Sequence, residues 1–341
     1  MARLVVVTPN PAVDVTYRVA RQVVGETVRV QEVQRRPGGK GLNVARVLRA
    51  LGRDALAVQP LGGAAGAWVA AQLAAEGLPA EVVEVAGETR TTVAVVDGAA
   101  HPTLYAEPGP VLLAAELERL VDAVARACRP GDQLVVSGSL PPGADERTVA
   151  GLVAAGRSAG AAVVVDTSGA ALAAACRAGA DVVMPNTEEA LATTGAPDLA
   201  TAVAGLLDLG AGQVVVSRGA DGLLSVARSG ERCEQPAVPA VAGNPTGAGD
   251  AATAGFTAAL DAGAGTADAL RWAAVCGAAA VLQPVAGVVD AAELVELERR
   301  LPAPPTGAPR HPLPLPVAAP PPGHRRPRRT PPDTDPQEPS S

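Results

Sequence analysis

Residues Asn244 to Phe256 read N-P-T-G-A-G-D-A-A-T-A-G-F, and the rest of the chain is legible outward from them. Gly247 and Gly249 bracket Ala248, and Asp250 follows at once. Glycine lets the backbone turn where a Cβ would clash and lets it approach a ligand closely. The Ala-rich run after Asp250 predicts a helix to about Leu260, so the glycines fall in its entry turn. First-turn N–H groups have no partner within the helix and carry the positive end of its dipole, which makes an anion site. A carboxylate at that spot repels an anion, so Asp250 is suited instead to taking a proton from an attacking hydroxyl. The plainer alternative is that Asp250 complements the dipole and the glycines make a turn. Amides of Gly247, Ala248 and Gly249 around a moving phosphoryl group, with Asp250 as base, would make a phosphotransfer site.

The chain has 341 residues, enough for one large α/β domain or two small ones. It is 48% hydrophobic but only 1% aromatic. The core must therefore be built from Ala, Val and Leu, and a base stacked between aromatic rings is not expected. The net charge of -7 argues against nucleic acid as a partner. Cys128, Cys176, Cys233 and Cys276 form no C-x-x-C pair, so buried reduced thiols in a cytoplasmic protein are the expectation. The apolar start, Leu4 to Val7, meets Pro9 too soon for a signal peptide, and no apolar span is long enough to cross a membrane.

Leu4 to Thr8 is an apolar, β-branched run that predicts a central strand of a parallel sheet. It leads into Pro9-Asn10-Pro11-Ala12-Val13-Asp14. Ligands of open parallel sheets bind beyond the carboxyl ends of strands, so Asp14 stands where a carboxylate can accept two sugar hydroxyls. A turn-forming Asp is the other reading. Tyr17 to Gln34 looks strand-like, with Val28, Val30 and Val33 among polar residues. Arg35 to Gly41 (R-R-P-G-G-K-G) breaks that pattern before a helix at Asn43–Leu51, closed by Gly52. Its glycines again permit close approach, but Walker A spacing is absent.

Strands are expected at Leu56–Leu61, Glu81–Val85 and Thr91–Val96. Downstream, helix and strand alternate: Glu116–Cys128, Gln133–Ser137, Val149–Ser158, Ala162–Asp166, Ala170–Ala178, Asp181–Met184 and Gln213–Ser217. Such alternation predicts a doubly wound sheet. Thr187-Glu188-Glu189 reads as a helix cap with an acidic first turn. Asp221-Gly222 is a hairpin signal before Leu223–Ala227. Ala267–Leu282 and Asp290–Arg300 close the folded part as helices. From Pro302 prolines recur and a basic cluster, Arg325 to Arg329, appears. No periodic apolar face exists there, so 302–341 is expected to be a disordered tail.

Asn244–Phe256 resembles the C-terminal signature of PfkB-type carbohydrate kinases, in the ribokinase superfamily. Gly38 to Ala45 (G-G-K-G-L-N-V-A) resembles their upstream motif. The resemblance covers about residues 1–300. It implies a ribokinase-like, doubly wound, mostly parallel sheet flanked by helices, in a domain spanning 1–301. A small β lid, placed at about 15–34 and 82–106, would keep water from the transfer site. By this resemblance Asp14, Gly38, Gly39 and Asn43 orient the sugar, and Lys40 and Arg90 hold a phosphate it already carries. Arg90 could also be a solvated strand-edge charge. Arg29 is a weaker candidate, because Arg35 and Arg36 compete with it.

The run Ser137 to Pro141 (S-G-S-L-P) is similar to that of phosphofructokinases and tagatose-6-phosphate kinases. Ser139 could hydrogen-bond the substrate or belong to a plain turn. Asn186 and Glu189 would help place phosphate and Mg²⁺, the ion through water. Ser217, Gly219, Gly222, Gly247 and Gly249 would face ATP. Ala267–Leu282 would wall the adenine, with Gln283 where the family often has Asn. The implied reaction moves the γ-phosphoryl group of ATP to a ketohexose phosphate, foremost fructose 1-phosphate. Tagatose-6-phosphate kinase, 6-phosphofructokinase and a non-catalytic sugar-phosphate sensor are the alternatives. A homodimer through exposed lid edges is the expected assembly.

Overall fold

A computed structural model of the chain describes residues 2–98 and 102–302. The expected tail, from residue 303 on, lies outside the described residues. The first half runs β1 (Leu4–Val7), β2 (Ala12–Arg18), β3 (Glu32–Gly38), α1 (Lys40–Ala50), β4 (Ala55–Leu61), α2 (Gly63–Ala75), β5 (Ala80–Glu84), β6 (Arg90–Val96) and β7 (Thr103–Ala106). Next come α3 (Ala114–Ala127), β8 (Gln133–Ser137), α4 (Glu146–Ser158), β9 (Ala162–Asp166), α5 (Gly169–Arg177), β10 (Val182–Val183), α6 (Thr187–Thr194) and α7 (Leu199–Leu209). The last part holds β11 (Gln213–Ser217), β12 (Leu223–Ala227), β13 (Arg232–Gln235), α8 (Ala248–Asp261), α9 (Thr266–Val281) and α10 (Ala291–Arg300).

Among the described residues, nine strands form one sheet in the order β13-β12-β11-β10-β9-β8-β1-β4-β5. It is parallel from β5 to β11, and β12 and β13 are added antiparallel. The run L-V-V-V of β1 explains its central place. Leu4 and Val6 pack with α1, α8 and α9 on one face, while Val5 and Val7 pack with α3, α4 and α5 on the other. A strand apolar at every position is stable only with both faces covered. Trp272 and Phe256, two of the few aromatics, are fully buried on the α8–α9 side.

Four strands, β3-β2-β6-β7, form the separate small sheet. Two expectations change here. The strand at 82 belongs to β5, which pairs with β4 at the edge of the large sheet, so the small sheet is built from 12–38 and 90–106. Residues 19–31, read as strand from their scattered valines, form a connection, and Val24 is 95% exposed. Valines at 28 and 30 alternate as a strand would, but no strand pairs with them, and Val30 is exposed.

β1 has β4 on one side and β8 on the other, so the chain order reverses there. Crevices open at such a reversal, beyond the strands' carboxyl ends. The segment carrying Asp14 leaves β1 and the loop carrying Ser139 leaves β8 at that end.

Candidate active site

The site is built on the start of α8. Gly247 is its cap residue, with φ of 83°, a conformation that L side chains rarely adopt. The N–H of Ala248 closes a turn on the Pro245 carbonyl at 3.1 Å. The N–H groups of Gly247, Gly249 and Asp250 have no acceptor among the described residues. The unpartnered amides at the helix head are thus those of Gly247, Gly249 and Asp250, where Gly247, Ala248 and Gly249 were expected. A Cβ on Gly249 would meet open space, which leaves its amide accessible.

Asp250 is 5% exposed. Its Oδ2 accepts a hydrogen bond from Asn43 Nδ2 at 2.8 Å. A carboxylate can only accept, so Asn43 must turn its amide nitrogen toward it. Burial, chiefly, and then the charge of Asp166 push the Asp250 carboxyl up to about 7. The Asn43 hydrogen bond and the Lys40 charge oppose that rise. A carboxyl that ionises near neutrality suits a general base, whose best pKa lies near the working pH. Asn43, expected on the sugar, donates to Asp250 and also lines the pocket that holds Asp14.

A pocket of about 180 Å³ opens under the small sheet and includes Asp14, Arg36, Asn43, Arg46, Thr92 and Thr246. Asp14 faces Arg36 across β2 and β3 and Thr92 across β2 and β6. A side chain on Gly38 would collide with the Asp14 carboxylate, so glycine is required for Asp14 to take this place. Gly39 caps α1 with φ of 113°, and a Cβ there would lie 2.7 Å from Thr8 Cγ2. Burial raises the Asp14 pKa, and Arg90, Arg46 and Arg36 counter it. Arg90 lies half-buried nearby. Its guanidinium donates to the Asn10 carbonyl at 3.2 and 3.0 Å and to the Glu107 carbonyl at 3.0 Å.

Lys40, expected beside Arg90, stands elsewhere. Its Nζ lies 3.5 Å from Asp166 Oδ1 and 3.8 Å from Glu189 Oε1. The Asp166 charge, foremost, holds the Lys40 ammonium above its ordinary pKa, and Asp250 contributes. Lys40 is thus held by Asp166 and Glu189, while Arg90 is held by the Asn10 and Glu107 carbonyls. Ser139 is exposed in the loop after β8. Asp166 was missed from sequence. It ends β9, buried, and accepts from Ser137 Oγ at 2.8 Å. A V-V-V-D strand end was the available signal, because carboxyl ends of parallel strands carry ligand groups.

Asn186 and Glu189 form a capping box on α6. Asn186 Oδ1 accepts from Glu189 N at 2.8 Å, and Glu189 Oε2 accepts from Asn186 N at 2.9 Å. Glu189 Oε1 still reaches Lys40, so the cap and a role in the cleft coexist. Asn186 bridges to Ser217 on the neighbouring strand. Ser217, Gly219 and Gly222 line a large cavity of about 700 Å³, together with Ala248 and Gly249. Ala273, Ala274, Gly277, Ala278 and Val281 of α9 form its small-residue wall. Val238 to Val241 face it from the loop after β13 and were not anticipated. Gln283 donates to Glu293 at 2.6 Å and is not among the cavity's lining residues. Cys128, Cys176 and Cys276 are buried free thiols, as expected, while Cys233 is half-buried.

Residues 7–291 match the family described as pfkB family carbohydrate kinase. The 1-phosphofructokinase of Xanthomonas campestris pv. campestris is 39% identical over 268 residues, which is 75% of this chain and 83% of that protein. The ATP-dependent 6-phosphofructokinase isozyme 2 of Escherichia coli is 36% identical over 255 residues, 72% of this chain and 82% of that protein. The solved structure of the tetrameric inhibited form of Escherichia coli phosphofructokinase-2 superposes with a TM-score of 0.81 at 30% identity, covering 88% of this chain and 99% of that one. With a buried carboxyl at a helix head and a family match over most of its length, the chain belongs to the pfkB family of carbohydrate kinases.

Proposed function

We propose that the protein transfers the γ-phosphoryl group of ATP to the free primary hydroxyl of a ketohexose phosphate, with fructose 1-phosphate as the substrate. The observation that carries this reading is Asp250. It is a buried carboxyl at about 7, flanked by unpartnered amides, at a helix head whose Ala248 and Gly249 line a nucleotide-sized cavity and whose Thr246, with Asn43, lines the Asp14 pocket. The name of the Xanthomonas relative, 1-phosphofructokinase, favours the 1-phosphate over the 6-phosphate.

In the proposed reaction Asp14 accepts sugar hydroxyls and fixes the ring. Asn43 holds the Asp250 carboxylate toward the acceptor. Asp250 takes the hydroxyl proton as the oxygen bonds to phosphorus and the bond to the leaving ADP oxygen breaks. The amides of Gly247 and Gly249 stabilise charge on the group in flight. Lys40 sits where it can follow that charge. Its ties to Asp166 and Glu189 keep it at the transfer end of the cleft. Ser217, Gly219 and the α9 alanines hold the nucleotide through backbone and small side chains.

Asp166 and Glu189 would hold Mg²⁺ through water. Among the described residues no group of three metal-binding side chains forms, and an ion that keeps most of its own waters needs no more than this. Bound there, Mg²⁺ supplies charge neutralisation on the nucleotide phosphates. No single helix among the described residues is long and apolar enough to cross a membrane, and a cytoplasmic place is part of this proposal. The lid's outer strands β3 and β7 leave edges with exposed Val33, Leu104 and Tyr105. Two copies pairing through them are part of this proposal.

The test is ADP release measured across fructose 1-phosphate, fructose 6-phosphate, tagatose 6-phosphate and the free sugars. The reading predicts the highest kcat/KM with fructose 1-phosphate. A preference for fructose 6-phosphate moves the chain to the 6-phosphofructokinase reading. Tight binding with no turnover would make it a sensor.

A further inference from the structure

Residues 284–287 lie between α9 and α10 and form a strap across the back of the α8 head. Three contacts brace it. A Cβ on Gly247 would lie 2.6 Å from Ala286 Cβ and 3.0 Å from its Cα, so the α8 cap rests directly on Ala286. A Cβ on Gly287 would lie 2.8 Å from Asn43 Oδ1 and 3.0 Å from Asn43 Cα, so the strap also rests on the residue that orients Asp250. Asn244 Nδ2 donates to the Pro284 carbonyl at 3.4 Å. The fourth contact comes from the lid: Arg36 Nη1 donates to the Ala286 carbonyl at 3.0 Å, across 250 positions of sequence. Among the described residues it is the hydrogen bond that ties the small sheet to the strap. Arg36 lines the Asp14 pocket and faces Asp14 across the strand pair.

We infer that Arg36 is a positioning residue for phosphoryl transfer. It links the lid strand facing the acceptor pocket, through Ala286, to the Gly247 amide and the Asn43–Asp250 pair. Any shift of β3 is passed to the strap, and the strap sets where the amides and the carboxylate stand. The sugar-side sheet and the transfer-side helix are therefore aligned through one guanidinium. The inference rests on the reading of the α8 head as the transfer site. It adds a residue that touches neither the transferring group nor the base.

The experiment compares steady-state kinetics and thermal melts of the wild type, Arg36→Gln, Arg36→Lys, Ala286→Gly and the Arg36→Gln/Ala286→Gly double variant, with ATP and fructose 1-phosphate. Misplacing reacting groups by about 1 Å costs on the order of 100-fold in rate. Arg36→Gln is expected to lower kcat by about 10- to 100-fold while KM for ATP stays within about twofold. Arg36→Lys should recover most of the loss, since an ammonium still donates to the Ala286 carbonyl. Ala286→Gly should lower kcat in the same direction. The double variant should fall little below the worse single one, because the two changes act in series: one removes the hydrogen bond to the Ala286 carbonyl, the other the Ala286 Cβ against Gly247.

Unchanged kcat in Arg36→Gln, a loss confined to KM for the sugar phosphate, or additive losses in the double variant would each overturn the inference. If Arg36→Gln does not fold, wild-type kcat in Ala286→Gly overturns it. If the wild type phosphorylates none of the ketohexose phosphates, the functional reading falls and takes this inference with it. An active wild type with an indifferent Arg36 removes this inference alone.

Discussion

Replacing Asp250 by Asn should stabilise the folded chain at alkaline pH, and the size follows from the site. The Asp250 carboxyl moves from 3.8 to about 7 on folding, mainly through burial. That shift is about 3 units, and each is worth about 1.4 kcal/mol, or about 4 kcal/mol in total. Between pH 4 and 7 the folded state keeps a proton that the unfolded state has released. This group's contribution is therefore fully present below pH 4 and is lost as pH rises to 7. Above pH 7 the wild type holds a buried carboxylate at that cost. Asn keeps the shape and can accept from Asn43 through its Oδ1, but its own amide N–H groups need partners, at about 1–3 kcal/mol. The net gain at pH 8.5 is about 1–3 kcal/mol, or about 2–6 °C in Tm for a chain of this size. At pH 5 the advantage should shrink by about 3 kcal/mol, because roughly two of the three units lie above that pH. Thermal melts of both proteins at pH 8.5 and pH 5, followed by circular dichroism, decide it. A Tm difference independent of pH, or one that favours the variant more at pH 5, would refute the burial argument.

Three further outcomes are expected. The wild-type kcat/KM should fall about tenfold per unit as pH drops below about 7, because a protonated Asp250 cannot accept the acceptor's proton; a flat profile from pH 5 to 8 would remove Asp250 as the titrating base. Lys40→Met should lower kcat more than it raises KM for the sugar, and should move that acid limb to higher pH, since Lys40 helps hold the Asp250 pKa down. A pure sugar KM effect in the same assay would return Lys40 to the phosphate clamp. Gly249→Val should melt within about 2 °C of the wild type, since its side chain meets open space, yet raise KM for ATP about tenfold or more by filling the space before the amides; unchanged ATP kinetics would place the phosphates elsewhere.

Much of this architecture was legible because its signals are local. β1 is apolar throughout, and β8, β9 and β11 have apolar centres with a polar residue at one end or both, as strands buried on both faces must. The G-A-G-D stretch placed Asp250 at a helix head, which is where α8 holds it. Sheet membership was not legible. β5 reads like a lid strand, and only its pairing with β4 assigns it to the large sheet. Valines at 28 and 30 mimic alternation without a partner strand. Lys40 could be recognised as a functional cation, but its target depends on Asp166, 126 positions away. Arg36 looked like one of several interchangeable arginines until the fold brought Ala286 within reach. Long-range polar pairs leave no periodic trace in the sequence, whereas burial does.

The central claim is that one carboxylate at the head of α8 takes the acceptor's proton. The most direct measurement pairs nucleotide binding with turnover in Asp250→Asn. Titration calorimetry should give a Kd for an ATP analogue within about threefold of the wild type, while single-turnover transfer slows by about 1,000-fold or more. Tight nucleotide binding together with near-normal transfer would contradict the account.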